Sequence, residues 1–447
     1  MLQVPGSRLA QGSGAKTSTP ASERRSSKAP VPDRTLLASL TKLQSDPRVA
    51  RALQLLRDRD AEITELQVHY AEIPAPDSLA TARGDRLARD FESAGLRDVR
   101  RDAVGNVLAL LPGSEPSERA VILSAHLDTV FPHIDSIRVE RLGSILRAPG
   151  VSDDAAGLAA MVHLARALHD AGLPLRRDIL FVGTVGEEGE GDLRGVKQLL
   201  QRDMPPARVH AFVTLDLGSN QEIVNEGLGS RRLHVTVRGP GGHSWGDFGR
   251  PNPIHALARA IDAFLEMPLP TGPRSSYNVG TIEGGQGVNV IPEEASLRMD
   301  LRSESPEILS QLEAAFRAAI RDGLQREQNW SRGDSSLSVQ IDVIGDRPVG
   351  FTRPEAPVIR TFVAAFATQG LPVVLGSSST DANLPMSLGV PALALPHGAI
   401  AHDVHSHTEW CDVAARIPVL QAELLGLVSL AELGAGGAPR PQRSTTD

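Results

Sequence analysis

The stretch V-I-L-S-A-H-L-D-T-V at residues 121–130 constrains this 447-residue chain more than any other. It is an apolar run of strand length that ends on a histidine and a carboxylate. Side chains two residues apart in a strand share a face. His126 and Asp128 should therefore leave the strand together, where it meets the turn at Phe131-Pro132. Two further apolar runs repeat the pattern. Residues 179–185 lead into Gly186-Glu187-Glu188-Gly189, and residues 209–215 end at Asp216. Between these strands, Ser152-Asp153-Asp154 precedes a helix expected over 155–171, and 192–200 reads as another. Alternating strands and helices imply a sheet covered by helices. Open sheets of this kind gather their ligands at the C-terminal strand ends.

Bulk properties narrow the class. The chain is too long for one core, so about two domains are expected. Hydrophobic residues at 41% and charged residues at 22% are ordinary for a soluble globular protein. A net charge of -8 offers no basic excess for nucleic acid or an anionic membrane surface. Cys411 has no second cysteine to pair with and reads as a small buried apolar residue. No apolar run is long enough to span a membrane. Residues 1–33 are rich in Ser, Gly, Pro and basic residues and lack an apolar signal core, so a disordered tail and a cytoplasmic protein are expected. Residues 435–447 look equally loose.

The remaining elements follow in order. Residues 36–66 carry helical spacing, in one piece or two, and Glu72-Ile73-Pro74-Ala75-Pro76 stops them. A helix over 80–94 ends at Gly95, a hairpin over 99–111 turns at Gly105-Asn106, and the central strand covers 120–125. From residue 231 the texture changes. Strand, helix, strand, strand, helix and strand are expected over 231–238, 254–267, 276–283, 295–302, 306–326 and 338–344. That β-α-β-β-α-β order is the ferredoxin-like arrangement. The reading is thus an α/β catalytic domain, with a mixed, mostly parallel sheet and helices on both faces. It is split into 34–229 and 344–434 by an inserted α+β domain at 230–343. In the second part come a helix over 356–369, a polar loop over 377–383 and a buried strand over 391–395. A loop holding His397, His402, His405 and His407 precedes a closing helix over 416–433.

Taken singly, each polar residue has an ordinary explanation. Asp153 and Asp154 suit a helix N-terminus, a lone Asp at a strand end suits a turn, and paired glutamates in a glycine-rich loop suit solvent. Their coincidence at the exits of one sheet is harder to explain this way. Pooled carboxylates repel one another and cost stability unless cations join them. A mixed histidine and carboxylate set is what zinc accepts in catalytic sites. Adjacent glutamates also allow one to bind metal while the other stays free as a general base.

His126-x-Asp128-x-Val130, Gly150-Val-Ser-Asp153-Asp154, Glu187-Glu188-Gly189, Asp216 and His405-Ser-x-x-Glu409-Trp410, in this order, resemble the dinuclear zinc peptidase and deacylase family. That family includes peptidase T, glutamate carboxypeptidase, acetylornithine deacetylase and succinyl-diaminopimelate desuccinylase. Gly241-Gly242-His243-Ser244, Val288-Asn289-Val290-Ile291-Pro292 and Ser379-Thr380-Asp381-Ala382-Asn383 extend the resemblance over nearly the whole chain after the tail.

The resemblance implies roles. Two divalent ions, zinc or else cobalt or manganese, would be held by His126, Asp153, Glu188, Asp216 and His405. Asp153 would bridge them, with a cis bond to Asp154. Asp128 would orient the His126 imidazole. Glu187 would act as general base toward a metal-bridging water and then protonate the leaving amine. His405 fits the His-Ser-x-x-Glu-Trp register, and His407 is the second candidate. His243 would stabilise the oxyanion in the site of a partner subunit, which implies a homodimer with 230–343 as lid and dimerisation domain. Asn289 and Arg302 would hold the substrate, although a surface ion pair is the plainer reading of Arg302. The expected reaction is amide hydrolysis in a small peptide. N-acyl amino acid deacylation is the alternative, and a catalytically silent peptide-binding protein is the reading from another class. Two departures stand out: Ala155 and Ala156 replace a frequent Lys after the Asp pair, and Asp216 stands where the deacylases usually have Glu.

Overall fold

The computed structural model describes residues 30–76, 81–115, 119–268, 270 and 272–434. Most of the 1–33 tail and all of 435–447 lie outside the described residues. The main sheet orders its strands Arg97–Arg101, Val107–Leu111, Ile179–Thr184, Ala120–His126, Val209–Leu217, Ala392–Pro396, Glu222–Gly227 and Gly350–Phe351, and Val374–Ser378 adds to Glu222–Gly227. The central four, from Ile179–Thr184 to Ala392–Pro396, run parallel. Antiparallel pairs flank them on both sides. The sheet is therefore mixed around a parallel centre, as the alternation of strands and helices implies.

Strands buried on both faces read as continuous apolar runs, and Ala120–His126 is buried throughout. Val121, Leu123 and Ala125 face the larger core, shared with helices Ala155–Asp170, Pro357–Thr368 and Arg416–Ala431. Ile122 faces the opposite way, against Leu180, Val182, Phe212 and Val196. At about 25 cal/mol per Å² of apolar surface, a strand shielded on both sides is firmly held. Its end is a rigid platform for the residues that follow.

Local chemistry moved several boundaries. The first helical stretch is three helices, Arg34–Gln44, Pro47–Asp58 and Asp60–Ala71. Pro47 at the first helical turn, capped by Asp46, starts the second. The hairpin turn is wider than Gly105-Asn106, because Asp102 Oδ1 gathers the amides of Val104, Gly105 and Asn106. The expected helix over 192–200 begins only at Arg194, since Asp192 and Leu193 are left-handed. The strand Glu222–Gly227, polar at its ends, escaped the sequence reading.

A second sheet, in the order Ser275–Gly284, Glu294–Ser303, Gly229–Arg238 and Ser338–Arg347, is antiparallel throughout. Helices Pro253–Leu265 and Pro306–Trp330 cover one face and enclose a separate core around Leu233, Val235, Leu297, Met299 and Phe316. The alternate residues Arg232, His234, Arg298, Asp300 and Arg302 mark the opposite face. A small sheet of Glu140–Leu142, Ile145–Arg147, Ile400–His402 and Trp410–Asp412 braces the histidine-dense loop.

His163 lies in the core-facing helix with both ring nitrogens buried and without a partner among the described residues. Burial, then Arg166, Arg59 and Arg416, pushes its pKa down to about 3. The unfolded chain takes up a proton near pH 6.5 that the folded chain refuses. Stability is therefore complete above that pH and is lost as pH falls toward 3. With chelator present, lowering the pH from about 7.5 to about 5 should cost the parent chain about 2 kcal/mol more than a His163→Leu chain, read from urea midpoints. Equal losses in the two chains would contradict this.

Candidate active site

The parallel register places the functional strand ends level. Ser124 pairs with Thr214 and His126 with Thr184. Two residues beyond Thr214, Asp216 stands beside His126. Its Oδ1 lies 3.7 Å from His126 Nε2, and Asp153 Oδ1 lies 2.8 Å from the same nitrogen. The other ring nitrogen, Nδ1, faces the main-chain carbonyl of Asp128 at 3.0 Å. A carbonyl can only accept, so Nδ1 carries the ring proton. A neutral ring would then turn the Nε2 lone pair onto two carboxylate oxygens, which is repulsive. Either a second proton or a metal cation must lie between them. Burial alone would depress the imidazole pKa, but Asp153 and Asp216 outweigh it and hold it well above the usual range.

A second group adjoins the first. His405 Nε2 lies 2.9 Å from Asp153 Oδ2 and 3.1 Å from Glu188 Oε1. These two carboxylates pull its pKa up to about 11. Asp153 thus directs one oxygen to each histidine. Burial would raise its pKa, but the two imidazoles outweigh burial and keep it below the usual carboxylate range. Ligand atoms of His126, Asp153 and Asp216 lie within 4.8 Å of one another, as do those of Asp153, Glu188 and His405. His126, Glu187 and Glu188 satisfy the same limit. Nitrogen and oxygen donors in two groups that share one carboxylate fit a pair of divalent ions. His407 belongs to neither group and packs instead against Phe131, with ring centroids 5.4 Å apart.

Other buried carboxylates are turned to main-chain amides. Asp128 Oδ1 accepts from Gly186 at 2.8 Å and from Glu187 at 3.2 Å, and its Oδ2 accepts from Glu188 at 2.8 Å. The orienting contact expected of its side chain is made by its carbonyl, while the carboxylate fixes the loop that carries both glutamates. Asp154 accepts from the His126 amide at 2.9 Å and from Gly157 at 3.0 Å, so it caps its helix and ties it to the strand end. The Asp153–Asp154 bond is cis. Arg83, fully buried, donates to the carbonyls of Leu127 at 3.0 Å and Ile73 at 2.9 Å, with Asp128 and Asp154 nearby. Its burial was not legible in the sequence, where it reads as one polar residue of an amphipathic helix.

Glu187 is buried, and burial raises its pKa well above the usual range. The guanidinium of Arg347 opposes the rise, and Asp216 and Glu188 add to it. Arg347 closes the strand Ser338–Arg347. It donates to Glu187 Oε1 at 3.0 Å, to the Ser379 hydroxyl at 3.1 Å and to the Glu187 carbonyl. The second sheet reaches the same loop through Arg232 to the Gly189 carbonyl, Arg298 to Glu190, and the Asp346 amide to Asp192 Oδ1 at 2.6 Å. The sequence held no signal for Arg347, since the strand was expected to stop at 344. Asp381 accepts from Thr184 Oγ1 at 2.5 Å, and burial pushes it up to about 6.

The remaining sequence candidates lie in the 229–347 unit. His243 is exposed, and its Nδ1 accepts from the amides of Trp245 at 3.2 Å and Gly246 at 3.3 Å. The neutral ring therefore carries its proton on Nε2. The Asn289 carbonyl accepts from Ser244 at 3.0 Å. Arg302 Nε donates to Asp300 Oδ2 at 2.7 Å, the ion pair that its plainer reading anticipates.

Residues 122–427 match the model of Peptidase family M20/M25/M40. YqjE of Bacillus subtilis is 26% identical over 335 residues, which is 72% of this chain and 84% of that protein. Acetylornithine deacetylase of Myxococcus xanthus is 28% identical over 330 residues, 69% of this chain and 78% of the relative. The fold is that of aminopeptidase PepT from Bacillus cereus, with a TM-score of 0.67 at 21% identity, covering 83% of this chain and 99% of that one. The chain belongs to Peptidase family M20/M25/M40. It is accordingly an enzyme of the metallopeptidase and amidohydrolase type. No helix among the described residues is long and apolar enough to cross a membrane.

Proposed function

We propose that this chain hydrolyses an amide bond in a small peptide, using two divalent metal ions and Glu187 as the proton carrier. The observation that carries the reading is Asp153, whose two oxygens face His126 and His405 at 2.8 and 2.9 Å. N-acyl amino acids are the second substrate class, supported by the likeness to an acetylornithine deacetylase.

His126, Asp153 and Asp216 would hold one ion, and Asp153, Glu188 and His405 the other. The nitrogen and oxygen donors favour zinc, with cobalt or manganese compatible. Bound there, the ions would acidify a water molecule and polarise the scissile carbonyl. Glu187 takes the proton from that water and delivers it to the leaving amine. Arg347 holds the Glu187 carboxylate in place through its 3.0 Å bond. His243 donates its Nε2 proton to the developing oxyanion. Its exposure suits service to the site of a second copy, in a homodimer joined through the 230–343 domain, which also acts as a lid. Asn289 and Arg302 hold the substrate's carbonyl or carboxylate, with Arg302 leaving Asp300 to do so.

Glu187→Gln should lower kcat by at least about 100-fold while bound metal stays near the parent level. An active variant would remove Glu187 from this role. A panel of di- and tripeptides and N-acyl amino acids assigns the substrate. A strict need for a free α-amine excludes deacylation, and turnover of acyl amino acids alone excludes the peptidase reading. Turnover of neither class would leave a peptide-binding protein.

The partner-subunit role has its own test. Mixing His243→Ala chains with Glu187→Gln chains under subunit exchange should restore activity, because one mixed site then holds both intact residues. No recovery, with exchange demonstrated, would place His243 outside the reaction or in its own subunit's site.

A further inference from the structure

Glu409 lies four residues beyond His405, and the proposed reaction has no task for it. It is fully buried. Its Oε1 accepts from the amides of Ser152 at 2.8 Å and Asp153 at 3.2 Å, and its Oε2 accepts from Gly150 at 2.9 Å. Its own carbonyl accepts from the Ala148 amide at 3.1 Å. One residue thus anchors the main chain from 148 to 153, a segment more than 250 positions earlier in the sequence. Gly150 turns within that segment at φ +68°, where a side chain would be strained.

The same loop also reaches the far end of Asp153. His405 meets the Asp153 carboxylate at 2.9 Å while Glu409 holds the Asp153 amide and two amides before it. A carboxylate that must serve two histidines at once has little positional freedom. Rotation about its side-chain bonds can aim the oxygens, but the main chain alone decides where they start. With three N–H partners and no place in any of the converging donor groups, this carboxylate is a tether and not a further metal ligand.

We infer that Glu409 is a positioning residue for the shared carboxylate: it fixes the main chain of Asp153 so that one side chain serves both metal positions. The inference rests on Asp153 being the shared ligand in the reading above. It differs from a purely structural role in one consequence. Because Asp153 belongs to both donor groups, loss of the tether weakens both metals together. Glutamine is nearly the same shape, but its –NH2 end would set a donor against at least one of the three amide donors.

The test is a titration of the full chain, stripped by chelator, with Co2+ followed by absorbance and with Zn2+ against a chromophoric chelator. Glu423→Gln is the control, a buried carboxylate on helix Arg416–Ala431 whose oxygens have no partner among the described residues. Glu409→Gln should weaken both binding steps by about 10–100-fold, the usual effect of losing a residue that orients a ligand, and should alter the Co2+ bands. Glu423→Gln should match the parent. If Glu409→Gln fails to fold, Glu409→Asp takes its place, keeping the charge on a shorter arm. Parent-like affinity in the folded variant overturns the inference even if its thermal stability falls, and so does loss of one metal alone. A parent chain that binds fewer than two ions instead overturns the reading of the site on which the inference rests.

Discussion

The contact between His126 Nε2 and two carboxylates is the constraint on which the site depends. Its partner nitrogen is committed to the Asp128 carbonyl, so the ring cannot switch tautomer to relieve the repulsion. A second proton or a metal cation is required at this point. The strand beneath it is shielded on both faces and cannot move the ring away. Around this contact five carboxylates fall into two kinds. Asp153, Asp216 and Glu188 face histidines, while Asp128 and Asp154 face main-chain amides. Asp128 fixes the turn that carries Glu188, and Asp154 ties its helix to the strand end at His126. Burial of so much negative charge is tolerable because part of it is neutralised by N–H dipoles and part faces the imidazoles of His126 and His405.

This division also explains what the sequence could and could not disclose. The apolar strands, their order and the residues at their exits were legible, because strands buried on both faces have a distinct composition and end abruptly. The register that singles out His405 over His407 was legible through resemblance, and the structure brings His405 and not His407 to Asp153. The aim of the Asp128 carboxylate was not. The period-two rule applies while the strand is paired, and the strand ends at His126. Beyond that point the side chain follows the nearest free donors, which lie about sixty residues away in the 186–188 turn. Arg83 and Arg347 were hidden for a similar reason. Their partners are mostly carbonyls and carboxylates remote in sequence, and an arginine destined for burial looks no different from one on the surface.

The loop from Glu187 to Asp192 is where the two sheets meet. It carries Glu187 and Glu188, and it receives Arg232, Arg298, Asp346 and Arg347 from the second sheet. Exposed ion pairs of this sort contribute little to stability individually. The Arg347–Glu187 pair is different, because both groups are buried and breaking it would strand a charge. Movement of the second sheet would therefore be felt first at Glu187. The geometry links the position of the second sheet to the Glu187 carboxylate.

Anomalous diffraction from crystals grown with Zn2+ tests the division of carboxylates most directly. The account predicts two peaks per chain, about 3.5–4 Å apart. One should lie within bonding distance of His126 and Asp216 and the other of His405 and Glu188, with Asp153 bound to both. A single peak, or an ion bound by Glu187 or by the carboxylate of Asp128, would contradict it.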